Sequence, residues 1–172
     1  IDWPEYHGEK TIAQIAERLI SEHNIRSSDS IIGSSLGGIA ALEIHAMLNL
    51  RRVVLLGGAV CRTEINPLLI ALAPMAKITP LRLIQHLVGK SDALLSTMYA
   101  EVDADFVRAM CLAISSWDSY AGSARAIARI HGRRDHVIRC PKDATIIPNA
   151  GHLIAMTHAE ECVAIIAGAQ TQ

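Results

Sequence analysis

The chain has 172 residues, of which 51% are apolar and 19% charged, with a formal net charge of −1. One domain's length with that much apolar material can bury a core, which excludes a disordered segment. The near-zero charge, spread without blocks of one sign, excludes a polybasic face for nucleic acid or anionic lipid, and no apolar run approaches the roughly 18 residues of a membrane span.

The opening stretch, IDWPEYHGEK, is acidic and polar, unlike a secretory signal. It begins at Ile1 without an initiator Met, the expectation for a fragment, a processed chain or a sequence trimmed at its front. Ile12, Ile15, Ala16, Leu19 and Ile20 then recur at helical spacing and predict an amphipathic helix over 11–23. Ser27, Ser28 and Asp29 form a turn before Ser30-Ile31-Ile32, a short buried strand. After a tight Gly/Ser turn over 33–38, apolar residues fall on nearly every face of 39–48, so that helix is expected to be buried on several sides. Val53-Val54-Leu55-Leu56 is a second strand, closed by Gly57-Gly58.

From Arg62 to Tyr120 the texture changes. Pro67, Pro74 and Pro80 punctuate short helical segments (68–72, 81–88, 93–99 and 106–115) with no strand among them, as in a helical insertion. Strand character returns over 126–130 and 144–147. Thr157, with Glu160 three residues on, matches a capping box that would start the last helix, running through Cys162, Val163, Ile165 and Ile166. Strands alternating with helices imply an α/β fold, a mostly parallel sheet flanked by helices.

The chemistry gathers around that sheet. Strand 31–32, then Gly33-Ser34-Ser35-Leu36-Gly37-Gly38, then a helix, is G-x-S-x-G in the context the motif requires. A nucleophile on a sharp strand-to-helix turn sits in strained backbone, where bulky neighbours would clash as the chain doubles back. Ser35 would stand above the sheet edge, with Leu36 N–H at a helix N-terminus facing a developing oxyanion. A nucleotide loop is disfavoured, since neither G-x-x-x-x-G-K-[ST] nor G-x-G-x-x-G is present. A serine nucleophile needs a base, and the base a carboxylate to orient it. RIHGRRD places Asp135 after one strand and NAGH places His152 after the next, at strand ends where ligands bind in open parallel sheets.

The segments GSSLGG, RIHGRRDHVI and NAGHLI resemble the nucleophile elbow, acid loop and histidine loop of the α/β-hydrolase superfamily. The resemblance implies that fold over 1–61 and 121–172, with 62–120 standing where the family inserts a helical cap. It implies Ser35 as nucleophile, Asp135 as orienting acid, His152 as general base and Leu36 N–H as oxyanion donor. Nothing here matches the strands and loop with which the family supplies a second oxyanion donor, and Asp2-Trp3-Pro4 looks like the end of the strand and loop just before the helix that precedes the elbow. The implied activity is hydrolysis of a small carboxylic ester or thioester through an acyl-enzyme, without cofactor or metal. Acyl transfer, C–C hydrolysis and lyase chemistry use the same triad, and a non-catalytic binding domain would keep the same fold. A truncated front would also expose a sheet edge, which implies pairing with a partner or a homo-oligomer.

Other residues compete for roles. Ser34 reads as a turn residue, His131 as shaping the turn after its strand, and His136 and His158 as surface residues, the latter one residue inside the last helix. Glu43 and His45 read as packing on the helix after the elbow. Asp103 and Asp105 are weaker rivals for the acid, because no strand precedes them. Met75, Met98, Phe106, Met110 and Trp117 fit either an acyl pocket or ordinary packing. His7, His23, Gln85 and His86 show no metal-ligand spacing. Cys61, Cys111, Cys140 and Cys162 lie far apart without C-x-x-C, as expected of reduced thiols in a cytoplasmic protein.

Overall fold

The structure, a computed structural model, describes residues 5–74 and 103–168. Its first helix, α1 (Ile12–His23), starts where the Thr11 hydroxyl accepts from Gln14 N–H and stops at Asn24, which turns left-handed at φ 51°. The buried side chains of α1 are Ile12, Ile15, Ala16 and Leu19, the stripe that its periodicity predicts. Arg18, on its other side, is held between Glu9 and Glu22.

Among the described residues four strands form a wholly parallel sheet of order β1-β2-β3-β4: β1 (Ser30–Ser34), β2 (Arg52–Leu56), β3 (Ile127–Gly132) and β4 (Thr145–Ile147). Each was legible as an apolar run. The differences lie at the ends: β1 runs on through Ser34, and β3 runs through Gly132, so His131 lies inside a strand.

The alternation of side chains along β2 separates two apolar clusters. Val53 and Leu55 pack with α1, with α2 (Leu36–Leu48) and with α4 (Ala104–Ser115). Val54 and Leu56 pack with Ile130, Ile147 and residues of α5 (Ile154–Thr157) and α6 (Ala159–Gly168). Helices therefore cover both faces, as parallel sheets require. Helix α2 starts at Leu36, three residues before its apolar run, because the chain enters it directly from the elbow. It is buried on several sides, as expected, with Ile39, Ala40, Ala41, Leu42, Ile44 and His45 all in the interior.

The Thr157 capping box does not form. Thr157 is the last helical residue of α5, with its hydroxyl donating back to Leu153 O, and α6 begins two residues on, so Thr157 does not stand at the N-cap. Helix α6 begins at Ala159, and His158 sits between the two helices with its carbonyl accepting from Cys162 N–H.

Within 62–120, the stretch read as an insertion, a 3₁₀ turn at Arg62–Glu64 leads to α3 (Pro67–Leu72), and α4 covers the predicted segment 106–115. The segments expected over 81–88 and 93–99, with Met75, Gln85, His86 and Met98, lie outside the described residues. Phe106, Met110 and Trp117 are buried with Ala113 in the same apolar cluster as α1 and α2, so these three large side chains serve core packing. The two ends of the stretch meet: Tyr120 N–H donates to Val60 O at 2.9 Å, Arg62 N–H to Ser119 Oγ at 2.9 Å, and the Arg62 guanidinium to Ser115 O at 2.8 Å. No helix among the described residues is long and apolar enough to cross a membrane.

Candidate active site

Ser35 stands between β1 and α2 with φ 51° and ψ −117°, a region that costs a non-glycine residue on the order of 1–3 kcal/mol. Its N–H donates to Leu56 O at 3.1 Å, continuing the β1–β2 ladder one residue past the strand. The turn is tight at Gly33, where a Cβ would fall 2.6 Å from Gly37 C and 2.7 Å from Gly38 Cα. Gly37, by contrast, faces open space, so the crowding expected at both motif glycines falls on Gly33 alone. Leu36 is the first residue of α2, and the first N–H groups of a helix have no intrahelical acceptor and lie at its positive end. Ser34 is the last residue of β1, paired with Leu56, and takes no part in the site.

His152 follows β4 in a loop packed against backbone. Arg133 N–H donates to Ile147 O at 3.0 Å and Arg134 N–H to Ala150 O at 2.9 Å, tying this loop to the one after β3. Two glycines allow that approach. A Cβ at Gly132 would lie 2.5 Å from Ala150 O, and one at Gly57 would lie 2.7 Å from His152 O. Gly57 also has φ +60°, which favours glycine.

These loops bring the predicted residues together. Ser35 Oγ lies 2.7 Å from His152 Nε2, and His152 Nδ1 lies 2.9 Å from Asp135 Oδ2. The Asp135 side chain is completely buried. Its Oδ1 accepts from Val137 N–H at 2.8 Å and Ile138 N–H at 2.9 Å. Burial pushes its pKa up, but hydrogen bonds from His131 and then His152 outweigh that and hold it well below the usual carboxylate range. An ionised carboxylate only accepts, so His152 carries its proton on Nδ1. Its Nε2 is then a free acceptor, to which the Ser35 hydroxyl donates.

His131 does more than shape a turn. Its Nε2 lies 3.2 Å from Ile138 O, across the turn, and 3.1 Å from Asp135 Oδ2. The signal for this was present: a histidine in a buried strand needs a partner, and the acid stands four residues on. Arg129, on the same face of β3, was not singled out. Its guanidinium pairs with Glu64 at 2.7 Å and Asp143 at 3.0 Å and reaches Gly58 O at 3.3 Å, fixing the segment after β2.

The competitors lie elsewhere. Asp103 caps α4 by accepting from Asp105 N–H and Phe106 N–H, and Asp105 pairs with Arg108. Glu43 accepts from the Trp117 indole at 2.7 Å, and His45 is buried against the Tyr120 ring, so both are packing residues. His7, His23 and His136 are exposed. Among the described residues no group of three or more His, Cys, Asp or Glu side chains forms a metal-ligand set.

A parallel sheet covered on both faces, with a strained serine at the β1–α2 turn and an acid and a histidine at the ends of β3 and β4, is an α/β-hydrolase architecture. Residues 1–165 match the model of the alpha/beta hydrolase family, and the chain belongs to that family. Among solved structures it is similar to a lipase-esterase related protein from Clostridium acetobutylicum, with TM-score 0.74 and 14% identity over 95% of this chain and 77% of that one. A meta-cleavage product hydrolase from Pseudomonas fluorescens gives TM-score 0.67 and 17% identity, over 96% and 73%. An N-acyl homoserine lactonase gives 0.64 and 21%, over 92% and 69%. No curated protein sequence matches significantly.

Proposed function

We propose that this chain is a serine hydrolase that cleaves a small carboxylic ester or thioester through an acyl-enzyme intermediate. The observation that carries this reading is the unbroken run of hydrogen bonds from Ser35 Oγ through His152 to Asp135. Ser35 is the nucleophile, His152 the general base, and Asp135 the acid that orients it.

Attack of Ser35 Oγ on the carbonyl carbon passes the hydroxyl proton to His152 Nε2, and the carbonyl oxygen becomes an oxyanion facing Leu36 N–H. Collapse breaks the bond to the alcohol or thiol, which leaves with the proton from His152. Water then gives a proton to His152 and attacks the acyl carbon, and the second collapse returns that proton to Ser35 Oγ as the acid departs. Asp135 stays ionised throughout and stabilises each imidazolium. The chemistry asks for no cofactor. Four free thiols support a reducing, cytoplasmic setting.

The test is intact mass after treatment with a fluorophosphonate. A single adduct is expected on the wild-type chain and none on Ser35→Ala. An unmodified wild-type chain that is folded by circular dichroism overturns the proposal. The names of the solved relatives span esterase, lactonase and meta-cleavage hydrolase, and fold alone does not fix the bond broken. Turnover of β-diketones in place of esters and thioesters, in a panel of all three, would replace ester hydrolysis with C–C hydrolysis while keeping Ser35 in its role.

A further inference from the structure

The reaction gives His131 no task, yet its side chain is 1% exposed and its Nε2 shares Asp135 Oδ2 with His152 Nδ1. Ile138 O and an ionised carboxylate oxygen both only accept, so His131 Nε2 carries a proton, which it donates to Ile138 O at 3.2 Å while standing 3.1 Å from Asp135 Oδ2. With the two N–H groups on Oδ1, the carboxylate has four N–H groups within 3.1 Å, three of them in well-directed hydrogen bonds. An oxygen that accepts from two donors is less basic toward each than one that accepts from a single donor. One of the two here stands in the proton-transfer chain, and the other is fixed by β3.

We propose that His131 is a positioning residue, whose bond to Asp135 Oδ2 keeps that oxygen aimed at His152 and limits how strongly it binds the His152 proton. The other charged groups nearby are engaged elsewhere. On the same face of β3, Arg129 is paired with Glu64 and Asp143. Arg134 reaches Asn149, His136 is exposed, and the β4 residue opposite His131 is the apolar Ile146. From the turn between β1 and α2 the site receives Ser35, which is already bonded to His152.

The effect on rate rests on the serine-hydrolase reading; the hydrogen bond does not, and the experiment keeps them apart. In the whole chain, the low-field proton resonance of His152 Nδ1–H, identified by its loss in His152→Gln, moves further downfield in His131→Phe, where Oδ2 keeps one histidine donor. His131→Gln, whose amide N–H extends to the position of Nε2, returns it toward the wild-type value. The fluorophosphonate rate is then followed against pH. Its acid limb, a property of the Asp135–His152 pair, moves upward in His131→Phe by about half to one pH unit and stays in place in His131→Gln. A purely structural role would lower the folded fraction without moving either readout. Where His131→Phe does not fold, His131→Asn, too short to reach Oδ2, is expected to behave as His131→Phe should. An unchanged resonance in the folded variant, or the same displacement in His131→Gln, overturns the assignment. Absence of any adduct on the wild-type chain removes the hydrolase reading and leaves the resonance to decide on His131.

Discussion

The two halves of the site are held by opposite means. Around Ser35 the constraint is steric: a left-handed φ and a turn closed so tightly at Gly33 that no Cβ fits. Around Asp135 it is polar, with three hydrogen bonds and the His131 ring converging on a fully buried carboxylate. A nucleophile must project and stay reactive, so the backbone carries the strain while the hydroxyl keeps one partner. An orienting acid must stay charged in a dry interior, which only a full set of donors allows. The halves therefore break differently under substitution.

Asp135→Asn attacks the polar half and is expected to do the most damage. It lowers the fluorophosphonate rate by about 10⁴-fold, because an amide does not hold the imidazole in the required tautomer. It also changes acid stability with a definite sign. The folded Asp135 carboxyl titrates below its unfolded value, so it stabilises the fold above the ordinary carboxylate range, and that share is lost as pH falls through the folded value. In urea, the gap between wild type and Asp135→Asn should narrow as the pH drops below about 5. A gap independent of pH would mean that the carboxylate charge contributes nothing to the fold.

Gly132→Ala tests the seam between the halves. The added Cβ would push the loop carrying His152 away from β3, and a displacement near 1 Å lowers the fluorophosphonate rate by about 10²-fold. An unchanged rate in a folded variant would show that the loop yields elsewhere. The smallest effects sharpen the steric half. Gly33→Ala should cost about 1–3 kcal/mol in chemical denaturation, since its clash is with backbone that cannot swing aside. Gly37→Ala should stay within about 0.5 kcal/mol of wild type, although it alters the same motif. Equal losses in the two would place the crowding on both sides of Ser35.

The steric half was the more legible in the sequence, because a turn of this kind is local. Gly33 and Ser35 stand two residues apart between the apolar runs at 31–32 and 39–48, and apolar runs mark the four described strands. Asp135 and His152 were legible through their order after the serine and their place behind strands. The second bond of His131 and the Arg129 cluster were not, since each depends on which loops meet across the sheet. Thr157 shows the limit of a local pattern: its spacing to Glu160 fits a cap, but it is the last helical residue of α5, its hydroxyl turned back to Leu153 O. That competition is decided by where α5 ends, which periodicity does not report.

The meeting of Val60 and Arg62 with Ser115, Ser119 and Tyr120 means that the chain leaves the sheet and rejoins it at nearly one point. Strands β2 and β3 are held side by side by their own ladder, Val53–Leu56 against Ile127–Ile130, and the bonds at the base close the excursion between them. Closing a longer excursion costs only about 0.6 kcal/mol for each doubling of its length. Length added there, away from the core side chains of α4, is therefore expected to leave the Ser35–His152–Asp135 geometry as it is.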